Sequence, residues 1–354
     1  MRTVEVRRSE SGALTGSCDG AHGAGPVAER STRETPARQH TAAPIAPPEP
    51  PEVLSLEFAA LPAFQRLYES GDCVVAVASA AQMPRLMSEI GRLREFSFRA
   101  VGEGTGRACD RDAYDDWYQQ LFVWDHRRCQ VLGAYRLTLT DVTVRQRGLR
   151  GLYTHSLFVY DEALLDEFGP ALELGRSFVR PECQGTGRVL ALLWRGIGQL
   201  LAARPRYRTL FGPVSISAAY SEESRQLIAS RLCQGRYRHP LSAAVDARHP
   251  VQSSRLDIAA LDEEFRALSR RVGAIERDQK GLPVLVREYL KLGGQFLSFS
   301  VDPEFLDAMD GLVAIHLDRT SPRLLQLYMG AENYAAFRRA RPPAPPAEVR
   351  VESA

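Results

Sequence analysis

Short apolar runs alternate with longer, periodic ones along most of this chain. "CVVAVA" (73–78) is a valine-rich run of strand length, whereas "SAAQMPRLMSEIGRLREFSFRA" (79–100) repeats its apolar positions at helical spacing behind a capping serine. "QQLFVWD" (119–125) and "QVLGAYRLTLT" (130–140) predict two strands with "HRRC" as the hairpin turn between them. "ALELGRSFV" (171–179) predicts a strand, "GRVLALLWRGIGQLLAA" (187–203) a helix, "RTLFGPVSIS" (208–217) a strand and "SEESRQLIASRL" (221–232) a helix with a capping-box start. Further on, "LPVLVREYLKLG" reads as a helix, and "GQFLSFSVD" and "GLVAIHLD" as strands. The alternation, with hairpins in the first half, argues for one mixed α/β domain over residues 55–332.

The ends break this pattern. Residues 1–52 are polar and finish in "APIAPPEPPE", and the chain closes in "RPPAPPAEVRVESA" (341–354). Such composition buries too little apolar area to offset ordering entropy, so 1–52 and most of 333–354 are expected to be disordered. Over the whole chain, 44% hydrophobic and 25% charged residues suit a soluble globular protein, and a net charge of +2 gives no footing for nucleic-acid binding. No run approaches the roughly 20 apolar residues that span a bilayer. Six scattered cysteines without metal-like spacing read as reduced thiols of a cytoplasmic protein with no metal site.

Chemistry concentrates around "VRPECQGTGR" (179–188), a strand running through a glycine turn into a helix. Such a turn aims backbone N–H groups outward at a positive helix end and so suits a phosphate; plain turn geometry is the alternative. Val179, Pro181, Gln184 and Gly187 occupy the places of the acyl-donor motif of GNAT acyltransferases, which this segment resembles, although Val189 stands where a small residue is usual. Ordered segments then resemble a narrower group: "FRAVGEGTG", "DAYDDWYQQLFVWD", "VLGAYRL", "SLFVY", "LELGRSFVRPECQ", "LLWRGIG" and "LFGPVSIS". In this order they resemble the bacterial ornithine-lipid-type amino-acid N-acyltransferases (hemolysin-like) and, more distantly, acyl-homoserine-lactone synthases. The resemblance spans about residues 70–330. It implies a GNAT-like mixed sheet flanked by helices, with no bound cofactor. It also implies an acyl-phosphopantetheine thioester as co-substrate, carried by acyl carrier protein or coenzyme A, and an amino acid as acceptor.

The candidate residues follow from that chemistry. Acyl transfer to an amine needs a neutral nucleophile, a proton acceptor and stabilisation of an oxyanion. Glu173, an acid in an apolar strand, is the candidate base, or else a structural carboxylate paired with an arginine. Arg176 and Arg136 are candidates to grip a carboxylate, and Ser177 and Ser217 to meet substrate. Alternation sends residues 173 and 176 to opposite faces, so both reach one cleft only if the strand bulges near Gly175. Arg99 matches the arginine that the lactone synthases carry in a loop over the donor. Asp125, with Asp115 and Asp116, is a candidate for the acceptor's ammonium, or a turn residue. Val179, Gln184, Gly185, Gly187 and Arg188 would hold the phosphopantetheine. Gln120 stands where the family usually has a histidine.

These expectations combine into an N-acyltransferase moving a long acyl chain from acyl carrier protein to an amino acid's α-amine by direct attack. Basic "RPRYR" (204–208) with Arg180, Arg188 and Arg195 would steer the acidic carrier, and a peripheral contact with the inner face of the membrane is expected. The alternatives are a coenzyme A-dependent acetyltransferase and a degenerate carrier- or lipid-binding domain.

Overall fold

An eight-stranded mixed sheet organises the molecule, with strand order β1-β2-β3-β4-β6-β7-β10-β9. Its strands are β1 (Arg66–Ser70), β2 (Cys73–Ser79), β3 (Gln119–Asp125), β4 (Gln130–Leu139), β6 (Ala171–Val179), β7 (Thr209–Ile216), β9 (Gln295–Asp302) and β10 (Ala308–His316). Two short strands, β5 (Phe158–Val159) and β8 (Asp246–Ala247), form a separate ladder. The structure is a computed structural model and describes residues 42–251 and 264–340. The disorder expected of 1–41 and 341–354, and Cys18, lie outside those residues.

Every neighbouring pair in the large sheet is antiparallel except β6 with β7. A parallel pair needs a crossover, and the helix Arg188–Ala202 supplies it. That helix is apolar on one stripe and buries Leu193, Trp194, Ile197 and Leu201 against the sheet and the helices Val284–Lys291 and Pro322–Met329. "LLWRGIGQLL" is therefore core. The helix Pro84–Arg99 covers the other face, with Leu86, Met87, Ile90 and Leu93 fully buried. Ser79 caps a short 3-10 turn ahead of it through Gln82, one element earlier than the spacing suggested.

The ordered chain is longer than composition predicts at both ends. The helix Pro51–Ala59 buries Leu54 and Phe58, and the Phe58 ring stacks on Trp124 at 5.0 Å. Ahead of it, Ala43 N and Ala46 N donate to the carbonyls of Gly106 and Ala108, each at 2.9 Å. A proline-rich segment has few backbone donors to satisfy, and here the body of the domain receives those it has; composition alone misses that pairing. At the other end, the helix Ala331–Arg339 buries Phe337 beneath the Arg208 guanidinium.

Candidate active site

The two parallel strands part company early. β6 pairs with β7 only at Ala171–Thr209, Leu172–Leu210 and Glu173–Phe211, although each strand continues well beyond. Gly212 makes the last close approach: a Cβ there would lie 1.9 Å from the Leu174 carbonyl oxygen. Past this point the β7-facing edge of β6 has no strand partner among the described residues. Gly175, Arg176, Ser177 and Val179 on it are partly exposed. An unpaired edge inside a sheet offers backbone donors and acceptors to an extended ligand.

The glycine turn lies at one end of this gap. Gly185 and Gly187 have φ of +89° and +67°, which L side chains adopt at a cost, and a Cβ at either would meet only open space. Gly187 brings no side-chain cap to the helix that follows, and Arg188 N donates to Thr186 Oγ1 of the turn at 3.3 Å. Gln184 donates its amide to Val179 O at 2.9 Å, and Arg188 is exposed at the helix start. Val189, bulkier than the motif usually has, packs where Gly133 of β4 leaves room, with its Cγ1 3.1 Å from the Cβ position of that glycine.

At the other end the strand bulges. Ala134 pairs with Phe178 and Arg136 with Gly175, so β6 carries an extra residue at 176–177. The bulge sits one position past Gly175, and Arg176 takes the strained left-handed conformation, φ +46°. It turns the Arg176 side chain toward the Arg136 and Glu173 side of the sheet. Its guanidinium lies between the Tyr153 and Phe305 rings, 4.9 and 4.7 Å away, donates to Tyr153 Oη at 3.0 Å and pairs with Asp110 at 3.2 Å. Burial opposes its charge, but Asp110, Tyr153 and Asp112 hold it firmly protonated. Ser177 faces the opposite layer, toward Tyr135.

Glu173 holds a donor on both oxygens. Tyr118 Oη donates to its Oε2, Thr154 N donates to its Oε1 at 2.7 Å, and the residue is 1% exposed. Burial pushes its carboxyl up, while Tyr118 and Thr154 pull it down. Tyr118 Oη also accepts from Tyr153 N at 2.8 Å, so Glu173 fixes the segment that carries Tyr153 over both arginines. Arg136 is fully buried among the Tyr114, Tyr118 and Tyr153 rings and pairs with Asp112 and Asp115. Burial disfavours the Asp115 anion, but Arg94 and Arg136 outweigh it and hold the carboxyl at about 2. Gln120 accepts from Arg94 at 2.6 Å and donates to Asp115 at 3.1 Å, so this amide supplies the donor and acceptor that a neutral histidine offers.

Other candidates fall elsewhere. Arg99 pairs with Glu95 and donates to the carbonyls of Ala43 and Arg107, clasping the 100–108 loop to the N-terminal segment. Asp125 accepts from Arg127 N and Arg128 N at 2.9 and 3.0 Å and is the turn residue of the β3–β4 hairpin; Asp116 is exposed. These acids form no cluster with Asp115. Ser217 donates to Gly102 O at 3.1 Å and accepts from Ala219 N. The expected basic patch divides: Arg188 starts the 15-residue helix, while Arg206 and Arg208 lie beyond its other end and are tied to Asp141 and Asp318. At 1.5 Å per residue those ends are about 22 Å apart.

Three acids that pattern reading passed over lie beside Arg176. Glu103, in "VGEGTG", is 5% exposed and accepts from Ser215 Oγ at 2.8 Å. Burial raises it to about 7, with Ser215 and Arg176 pulling the other way. Asp310 on β10 is raised well above the carboxylate range by burial and then by Asp302 and Glu103, and burial also raises Asp302. Their flags were glycines flanking one acid and two acids placed inside apolar strands. No group of side chains suited to a metal occurs among the described residues.

A mixed sheet whose parallel strands splay beside a glycine turn is the architecture of a GNAT acyltransferase. Residues 93–195 match the acetyltransferase (GNAT) domain family. The chain is 31% identical over 277 residues to a glycine N(alpha)-acyltransferase of Bacteroides thetaiotaomicron, covering 72% of this chain and 80% of that one. It is 25% identical over 249 residues to an L-ornithine N(alpha)-acyltransferase of Agrobacterium fabrum, covering 67% and 78%. The solved structure of FeeM, an N-acyl amino acid synthase from uncultured soil microbes, aligns with 70% of this chain and 93% of its own at 9% identity and a TM-score of 0.39. The chain belongs to the GNAT family of amino-acid N-acyltransferases, and it is an enzyme of that class.

Proposed function

We propose that this enzyme moves a long-chain acyl group from a carrier-protein thioester to the α-amine of a small amino acid. The product is an N-acyl amino acid of lyso-lipid type. The observation that carries the reading is the unpaired edge of β6, which joins a phosphate-ready turn to a buried charged cluster. The pantetheine arm would run along the edge near Val179 with its phosphate on the 184–188 turn. That course brings the thioester carbonyl to the bulge. The amine attacks there directly, backbone N–H groups of the edge face the developing oxyanion, and no acyl-enzyme forms. Arg176 fits the acceptor's carboxylate, and Glu173 acts by positioning Tyr118 and Tyr153 rather than by touching substrate.

A basic groove of about 890 Å³ supports the carrier-bound donor. Arg266, Arg270, Arg277, Arg287 and Lys291 line it with Glu276 as the acid among them, and its rim reaches the end of β7 through Lys280, which donates to Ala219 O. An acidic carrier surface is complementary to that lining. No helix among the described residues is long and apolar enough to cross a membrane. Exposed Leu56 and Phe64 support a peripheral membrane contact.

The test is a donor and acceptor matrix: long-chain acyl carrier protein, long-chain acyl-coenzyme A and acetyl-coenzyme A, each with glycine, ornithine and a wider amino-acid panel, read by mass spectrometry. Long-chain N-acyl amino acid formed fastest from the carrier is expected. Product from acetyl-coenzyme A alone, or none from any combination, overturns the reading.

A further inference from the structure

The acceptor amine loses a proton as it attacks, and the proposed function leaves open which group takes it. Glu173 is poorly placed: both oxygens already hold donors, one from Tyr118 Oη and one from Thr154 N. Glu103 differs in each respect. It accepts a single side-chain hydrogen bond, from Ser215 Oγ, which leaves its other oxygen without a donor among the described residues. Ser215 and Arg176, which flank it, are both partly exposed at the gap between β6 and β7. Asp310 stands directly across from Ser215 in the β7–β10 ladder, is 5% exposed, and makes no side-chain hydrogen bond among the described residues.

The loop that presents Glu103 is built tightly. Gly102 and Gly104 take φ of +76° and +116°, and a Cβ on Gly102 would lie 3.0 Å from Ser217 Oγ. Behind them the buried Glu95 carboxylate accepts from Thr105 N, Thr105 Oγ1 and Gly106 N at 3.0, 2.7 and 2.9 Å. So the backbone around Glu103 is anchored from both sides while its carboxylate is left under-bonded, a combination suited to catalysis rather than to packing.

We propose that Glu103 is the proton acceptor for the attacking amine, that Ser215 orients it, and that Asp310 tunes it by its proximity. The inference rests on the acyl-transfer reading above. The amine lone pair forms the C–N bond, the C–S bond breaks and its electron pair leaves on sulfur. The nitrogen's proton passes to Glu103, which releases it to the thiolate or to water. The groups that act on Glu103 are Ser215 from β7, Arg176 from β6 and Asp310 from β10, with Tyr220 beyond the end of β7. Burial holds Glu103 at about 7, where a carboxylate is a competent base near neutral pH.

The experiment is the pH profile of kcat/KM with long-chain acyl carrier protein and the amino acid that wild type uses best. Glu103→Gln is expected to lower kcat by about 100-fold or more with little change in acceptor KM, and to abolish the acidic limb of the profile. Glu103→Asp restores a limb at a shifted position. Ser215→Ala, which removes the hydrogen bond favouring the anion, moves the limb to higher pH. Glu173→Gln also loses activity but keeps the limb, because its role is positional. A Glu103→Gln enzyme within about threefold of wild type, or an acidic limb unchanged in both Glu103→Gln and Ser215→Ala, overturns this inference alone. Wild type inactive with every donor and acceptor overturns the function reading and this inference with it. If Glu103→Gln does not fold, Ser215→Ala decides: an unmoved limb overturns the inference.

Discussion

Glu173 shows how one residue can be legible in kind while its role rests on partners that the sequence does not place beside it. An acid inside an apolar strand announces a buried carboxylate, but whether it holds structure or moves protons depends on its partners. Those partners, Tyr118 and Thr154, lie 55 and 19 residues away. Removing the anion strips a charge-assisted pair, worth about 1.5–3 kcal/mol each at most. Glu173→Gln is therefore expected to lower the unfolding free energy in urea by about 1–3 kcal/mol and to loosen the Tyr153 segment in hydrogen exchange. Glu103 was hidden for the opposite reason: among glycines it reads as loop, and only the fold puts it against Ser215. Its pKa carries a stability signature. The folded value of about 7 lies above an unfolded value near 4.5, so the folded state binds the extra proton. The stabilisation is complete below about 4.5 and is lost as pH rises through 7, by roughly 3 kcal/mol at most. Asp115, held at about 2, works the other way: its contribution is present above 3.8 and lost as pH falls through 2. Denaturant melts between pH 5 and 8 should show wild type weakening as pH rises, with that slope flattened in Glu103→Gln.

Among the elements, those with strong periodicity were readable: β2, β3, β4, β6, β7, β9 and the helices at 84–99, 188–202, 222–232 and 284–291. Period and capping are local, so the chain displays them. β1, "RLYES", has one partner and no buried residue, and lacks the apolar run that marks a strand. The bulge in β6 was legible as a requirement, since residues 173 and 176 could share a side in no other way. Its position was not, because the left-handed residue is Arg176 itself and tertiary contacts with Tyr153, Phe305 and Asp110 hold it there. Gly212 carries an element-scale consequence. Any side chain there collides with the Leu174 carbonyl, where β6 and β7 last touch. Gly212→Ala should force the strands apart, cost about 1–3 kcal/mol or more in thermal melts, and reduce donor affinity by deforming the mouth of the gap. By contrast Gly187→Ala meets open space and strains only φ, so it should cost about 1 kcal/mol and leave the gap intact.

At the scale of the whole molecule, charge is arranged rather than accumulated. A net charge of +2 says nothing about partners, and within "RPRYR" Arg206 pairs with Asp141 and Arg208 with Asp318. The groove cations come from two helices, Phe265–Ile275 and Val284–Lys291, and, at Arg277, from the turn after the first, at spacings that no single stretch reveals. If this groove receives the acidic carrier, reversing its sign must act on the carrier-borne donor alone. Arg270→Glu with Arg277→Glu is expected to raise KM for long-chain acyl carrier protein by about tenfold or more at low salt, and to leave KM for the same acyl group on coenzyme A within about twofold. Raising ionic strength should weaken the wild-type enzyme toward the variant, since exposed charges more than about 8–10 Å apart are screened at physiological salt. Steering changes association more than chemistry, so kcat under saturating donor should stay near wild type. Equal losses with both donors would place the damage in the fold or the gap. An unchanged KM for the carrier would remove the groove from the reaction and leave the donor's arrival to another face.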